Sequence, residues 1–179
     1  MKKIWLNKFD RKLDLKNCVL LITDGGGNEM EVRLGGGNLT FSEKRNIIYN
    51  LDRGRLDDVS EGDEVPVDVK FDFEWTYIRG SGTLATIYDA LKQKGAASGW
   101  VSSDVDTCRP YAVDLQFLNN PKVTNPACVG DMENIYLHDF RWESLDHDAK
   151  NATVSCSGKC NILEVSIYRG SSASDESGS

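Results

Sequence analysis

The chain has 179 residues, enough for one domain with a substantial core. Its 40% hydrophobic content excludes a chain disordered by composition, and no apolar run is long enough to cross a bilayer. The formal net charge of −7 is opposite in sign to that of an ordinary duplex-binding domain.

Residues 1–17 alternate basic and apolar side chains, with Trp5, Phe9 and Arg11 among them, and read as an extended basic arm of net charge +4. No continuous apolar stretch follows Lys2 and Lys3, so this start is not read as a secretory leader, and folding in a reducing cytoplasm is the expectation. Residues 18–23 are a compact apolar run. The turn formers Asp24, Gly25, Gly26, Gly27 and Asn28 follow it, and then residues 29–34 alternate with Met30, Val32 and Leu34 on one face. That order predicts a β-hairpin. Residues 35–38 repeat the turn chemistry, and 38–51 read as one further strand.

Residues 52–64 are charged and rich in turn formers, and are expected to be a long surface loop. Across 52–74 the net charge is −6, against +4 in the arm. Such segregation points to complementary surfaces on a self-associating subunit, although two solvated faces give the same pattern. Residues 66–78 alternate most cleanly: Val67, Val69, Phe71, Phe73, Trp75 and Tyr77 share one face, and Asp68, Lys70, Asp72, Glu74 and Thr76 the other. One helix is expected over 83–94, capped by Thr83, with Leu84, Ile87, Tyr88 and Leu91 at helical spacing and Gly95 ending it. Further strands are expected near 111–118, 134–137, 152–160 and 161–168, and an acidic Ser-rich disordered tail at 170–179. The fold class is therefore mainly β. It is an antiparallel sandwich or barrel with one flanking helix, forming a single domain over 18–169.

The chemistry-bearing residues yield no catalytic, cofactor-binding or metal-ligating candidate. Neither glycine cluster is followed by a phosphate-binding lysine or opens a helix, so turn glycines explain both. Asp146, His147 and Asp148 can hold a metal weakly or titrate, but a solvated loop accounts for them. Cys156 and Cys160 lie about 13 Å apart if the segment is a strand, too far for one metal or one disulfide unless Gly158 makes a bulge. Cys108 and Cys128 can meet across a loop, where a bond or a shared site between them is the alternative to two separate thiols.

Residues 37–57 (GNLTFSEKRNIIYNLDRGRLD), 61–69 (EGDEVPVDV), and 140–148 (FRWESLDHD) leading into 155–161 (SCSGKCN) resemble the corresponding parts of phage tail tube proteins. The similarity is one of order and character over most of 37–169. That family is similar to the tube subunits of type VI secretion. The resemblance implies a small β-barrel or sandwich with one helix. It also implies that six subunits close into a ring, that rings stack, and that the strands of all subunits join into one lumen wall. The partners it implies are further copies of the chain, baseplate or hub proteins, a terminator, a sheath where the tail contracts, and DNA in transit. The implied location is the tail of a virion, assembled in the host cytoplasm without membrane insertion. A hub or secretion-tube subunit of the same fold and a ligand-binding β-sandwich are the alternatives.

Three sets of residues follow as expectations. Arg53, Arg55, Asp57, Asp58 and Glu61 make inter-ring contacts. Trp5, Phe9 and Arg11 anchor the arm on an adjacent subunit. Asp68, Asp72 and Glu74 face an acidic lumen that repels DNA, with an outer or covered position as the competing placement.

Overall fold

The computed structural model describes residues 18–34, 39–75, 84–103, 111–119 and 133–169. The basic arm at 1–17 with Trp5, Phe9 and Arg11, the tail at 170–179, and Cys108 and Cys128 lie outside the described residues. The protein is mainly β: an antiparallel sheet curled into a half barrel with a single short helix.

The main sheet is built from β1 (Cys18–Thr23), β2 (Glu29–Val32), β3 (Leu39–Ser42), β6 (Val67–Glu74), β7 (Ala112–Asn119), β8 (Glu133–Asp148), β9 (Thr153–Cys160) and β10 (Ser166–Arg169). Their order is β2-β1-β7-β8-β9-β6-β3, with β10 pairing β8. The expected hairpin is β1–β2. Its turn is held by the Asp24 carboxylate, which accepts from the amides of Gly26 and Asn28 and from the Asn28 side chain. Just after β2, Arg33 O accepts from the Glu74 amide at 2.9 Å. Residues 33 and 39–42 therefore both run along the outer edge of β6, which curls the sheet toward closure.

The sequence pattern sets the core. On β6, Val67, Val69, Phe71 and Phe73 are buried, and they meet Leu20, Ile22, Leu115, Leu137, Phe140, Val154, Cys156 and Cys160 from the other strands. Strict alternation made this strand legible, and it ends at Glu74, one residue beyond its last buried ring and just before the exposed Trp75. Tyr77 lies outside the described residues.

Five expectations need correction. The segment 38–51 is not one strand. It divides at 43–46 into β3 of the main sheet and β4 (Ile47–Asp52) of a separate two-stranded sheet. The expected loop at 52–64 is instead β5 (Arg55–Glu61), the partner of β4. The helix is shorter than expected: α1 spans Ile87–Lys92 and its cap is Thr86. Thr86 Oγ1 accepts from the Asp89 amide while the Asp89 carboxylate accepts from the Thr86 amide, a reciprocal box that outcompetes an earlier start. Leu84 stays outside the helix and exposed. The strand expected at 134–137 runs for 16 residues as β8, and the strand expected at 161–168 shrinks to β10.

β8 bends because it carries two irregularities. One faces β7 between Val113 and Leu115, and the other, between Trp142 and Ser144, faces β9. Its first half pairs β7 and β10, and its second half pairs β9. At the second bulge Gly158 lies against the β8 backbone: a Cβ there would sit 2.0 Å from Arg141 O and 2.8 Å from Trp142 Cα. Cys156 and Cys160 flank it on the buried side of β9 as free thiols, with burial pushing both up to about 12. They are inert core residues.

Gly158→Ala is expected to lower stability by about 3 kcal/mol, because the opposing atoms are backbone and cannot step aside. Urea denaturation of the variant measures this, and a loss under about 0.5 kcal/mol contradicts the close approach.

Candidate assembly surfaces

The hairpin β4–β5 is the most exposed element of the described structure. Asp52 pairs with Arg55 across a two-residue turn in which Arg53 and Gly54 both have positive φ, 53° and 82°. This is the primed geometry that matches strand twist. The register places Tyr49 opposite Val59 and Leu51 opposite Leu56, on the same side as Ile47. The other side carries Ile48, Asn50, Asp52, Arg55, Asp58 and Ser60. A bulge at Asp57 keeps these faces in phase. Tyr49, Leu51, Leu56 and Val59 are 61%, 63%, 71% and 56% exposed, and none belongs to the core cluster. One charged and one apolar face thus project together from the body.

The inter-ring candidates Arg53, Arg55, Asp57, Asp58 and Glu61 all lie on this hairpin, brought to its turn and second strand rather than spread along a loop. Sequence reasoning missed their apolar companions. The signal was present in the alternation of Tyr49 and Leu51 before Arg53-Gly54 and of Leu56 and Val59 after it, but the surrounding charge masked it.

The second surface is the polar side of the main sheet. Registers across β3, β6, β9 and β8 align it into rungs: Thr40, Lys70, Ser157 and Ser144; Ser42, Asp68, Lys159 and Arg141; Asp72, Ser155 and Asp146; Glu74, Thr153 and Asp148. The three lumen candidates share this side, but they are not equivalent. Asp68 sits in the mixed rungs and is paired with Lys44, which holds its carboxyl below the ordinary range. Asp72 and Glu74 lie at the other end, with Asp146 and Asp148 and no base in their rungs. Asp72 accepts a hydrogen bond from the Ser155 hydroxyl. Asp148 is held low by hydrogen bonds from Asn151 and Lys150. The four-acid end is therefore broader than expected on one side and excludes Asp68 on the other. Asp146, His147 and Asp148 are not a loop. They close β8, with the exposed His147 ring stacked flat on Tyr88 at 5.7 Å and edge-on to Trp75 at 5.1 Å. Among the described residues no group of His, Cys, Asp or Glu is placed to hold a metal ion.

One buried polar cluster remains. Asp114 accepts from Ser102 Oγ at 2.5 Å, from the Ser103 amide and hydroxyl at 3.0 and 2.6 Å, and from the Asp139 amide at 3.0 Å. His138 Nδ1 lies 3.6 Å from the carboxylate and 3.3 Å from Ser103 Oγ. Asp139, itself at φ 56°, forms a two-pronged ion pair with Arg141 at 2.8 Å on each prong. Burial pushes the Asp114 carboxyl up, but the donors from His138, Ser102, Ser103 and Asp139 outweigh it and leave it well below the usual range. Both serine hydroxyls are tied down by the carboxylate, so the cluster pins the 102–103 segment onto β7 and β8 at the first bulge.

No protein-family model and no curated protein matches the chain. Solved structures do. The chain is similar to the PVC sheath/tube terminator of an extracellular contractile injection system in its extended state: 89% of this chain, 99% of that one, TM-score 0.56, identity 7%. It is similar to the tube-terminating cap of the anti-feeding prophage over 94% of this chain and 99% of that one, with TM-score 0.57 and identity 8%. A chain of the PVC sheath–tube complex in its extended state matches over 90% and 94%, at TM-score 0.55 and identity 9%. The fold is thus shared, nearly end to end, with structural components of contractile injection tails.

Asp114→Asn is expected to cost about 2–4 kcal/mol, since it removes a charge that satisfies four donors. Because the folded-state value is depressed below the ordinary 3.8, the stabilisation is complete above that pH and is lost as pH falls below it. Denaturant midpoints at pH 7 and pH 3 test this: the native chain is expected to lose more between them than the variant. Equal losses contradict the assignment.

Proposed function

We propose that the chain is a structural subunit of a tail-type tube. Six copies close into a ring and rings stack into a hollow conduit for DNA during ejection. The observation that carries this reading is the apolar face of β4–β5, which no part of the described chain covers. A two-stranded hairpin is marginal alone in water, and an apolar side chain of this size gains about 1.5–3 kcal/mol on full burial. A second copy is the cover that repeats without limit. Open strand edges support the same reading: β3 and β10 each have one side unpaired among the described strands, and ring closure pairs such edges. The likeness to injection-tail components supplies the architecture.

In this reading Arg53 and Arg55 at the hairpin tip meet carboxylates of the next ring. The polar sheet face lines the bore, with the four-acid end repelling DNA phosphates. The N-terminal arm with Trp5, Phe9 and Arg11 crosses to an adjacent subunit. The partners are other copies, a hub or baseplate, a terminator and, in a contractile tail, the sheath. The particle is a virion tail assembled in the host cytoplasm. No helix among the described residues is long and apolar enough to cross a membrane. We propose no catalytic role and no cofactor.

A second reading is favoured by a specific finding: the similar structures include a terminator and a terminating cap. A ring that ends a tube has the same fold with one ring face left free. Electron microscopy of the purified chain separates the two, with long hollow filaments for the repeating subunit and isolated rings for the terminator.

Replacing Tyr49, Leu51 and Leu56 together by Ser is expected to abolish ring and filament formation while leaving the thermal midpoint within about 2 °C, because none of the three touches the core. Arg53→Ala with Arg55→Ala is expected to stop stacking and spare rings. Normal filaments from either variant contradict the hairpin's role. Changing Asp72, Glu74, Asp146 and Asp148 to Lys is expected to give tubes that eject DNA slowly, most visibly at low salt. Unchanged ejection there removes these residues from the bore.

A further inference from the structure

Among the described residues none of the hairpin's apolar side chains belongs to the core cluster, so its direction is set at its root. Four contacts converge there. The Gly62 amide donates to Asn46 O at 2.7 Å and pins the two legs together. Just below this pinch, Lys44 pairs with Asp68 of β6. Arg45 Nη2 reaches Glu164 Oε1 at 2.8 Å, and Glu43 Oε1 accepts from the Val165 amide at 2.6 Å. The anchors belong to different pieces of the body: Asp68 to β6, Glu164 and Val165 to the turn that connects β9 to β10. Three consecutive side chains, Glu43, Lys44 and Arg45, thus bind two separate pieces of the body, and two separated anchors restrict a direction where one fixes only a position.

We infer that Glu43, Lys44 and Arg45, with Asp68, Glu164 and Val165, are positioning residues for assembly: an ionic root that aims the β4–β5 hairpin at the neighbouring copy. The inference rests on the proposed assembly for its purpose and adds what regulates the hairpin's reach. The chemistry suits aiming rather than stability. Arg45 and Glu164 are 69% and 72% exposed at their side chains, and exposed ion pairs add little to folding. What they contribute is pre-organisation, because a hairpin held in its bound direction loses less conformational freedom on docking. The root also explains why Asp68 stands apart from the other acids of its face, since its charge is used by Lys44. Assembly through an exposed ionic root is sensitive to salt even though the docking face itself is apolar.

The test uses the full chain and separates aim from fold. Arg45→Glu and Glu164→Arg each break one pair, and the double variant rebuilds it in the opposite sense. Glu43→Ala removes an acceptor that Glu43→Gln keeps. Sedimentation across a concentration series is expected to show each disruptive variant needing about fivefold more protein to assemble, with the double swap and Glu43→Gln returning to near native behaviour and all thermal midpoints unchanged. Hydrogen exchange on unassembled protein gives the second readout: segments 43–46 and 163–165 are expected to exchange faster in the disruptive variants and to recover in the rescued ones. Native-like assembly by the disruptive variants, or no rescue by the swap, overturns the inference. If the native chain does not assemble, the tube reading fails by itself. The exchange data then decide the root alone: unchanged protection in the variants overturns it, and loss with rescue upholds it.

Discussion

Water tolerates a bare two-stranded hairpin poorly, and it tolerates one with an apolar face least of all. That constraint organises this protein. Tyr49, Leu51, Leu56 and Val59 lie side by side with nothing of the described chain above them. The rest of the structure reads as a rigid base for this projection. A curled sheet with a closed core holds β6 in place, and β6 supplies an anchor for the hairpin's first leg through Asp68.

Rigidity in the base comes from how β8 is bent. A strand of 16 residues spans about 50 Å and cannot serve two neighbours on a curled sheet without breaking phase. Two irregularities solve this, and each is locked by a different device. At the first, the Asp114 carboxylate gathers the Ser102, Ser103 and Asp139 donors. At the second, the missing side chain of Gly158 lets the β9 backbone close onto β8. The helix seals one end of the core, with Ala90 and Leu91 buried and Gln93 bonding the Trp100 and Ala112 carbonyls. Charge then sorts along the polar face, mixed beside the hairpin root and acidic at the far end.

Much of the base was legible from residues alone, because burial on one side of a strand enforces a period of two. Val67 to Phe73 and the 152–160 segment followed that rule, Cys18 to Thr23 stood out as a compact apolar run, and the β1–β2 turn was written in Asp24 to Asn28. The hairpin was not legible for a physical reason: with no core above it, its apolar residues need not exclude charge from their neighbours, so β5 looks like a loop by composition. The long run of β8 was hidden because its bulges interrupt the alternation that reveals strands. The helix start was misplaced by a competition between Thr83 and Thr86 that Asp89 decides through its reciprocal bond. The resemblance of 37–57 to tail tube proteins pointed to the segment that carries the hairpin before any geometry was available.

The central claim is that the apolar face of β4–β5 exists to be covered by another copy. A cryo-electron microscopy map of the assembled chain tests it most directly. The account predicts Tyr49, Leu51, Leu56 and Val59 packed against a neighbouring subunit, with the Arg45–Glu164 and Lys44–Asp68 pairs intact at the root. Assemblies in which that face remains open to solvent, held together through other surfaces, contradict it.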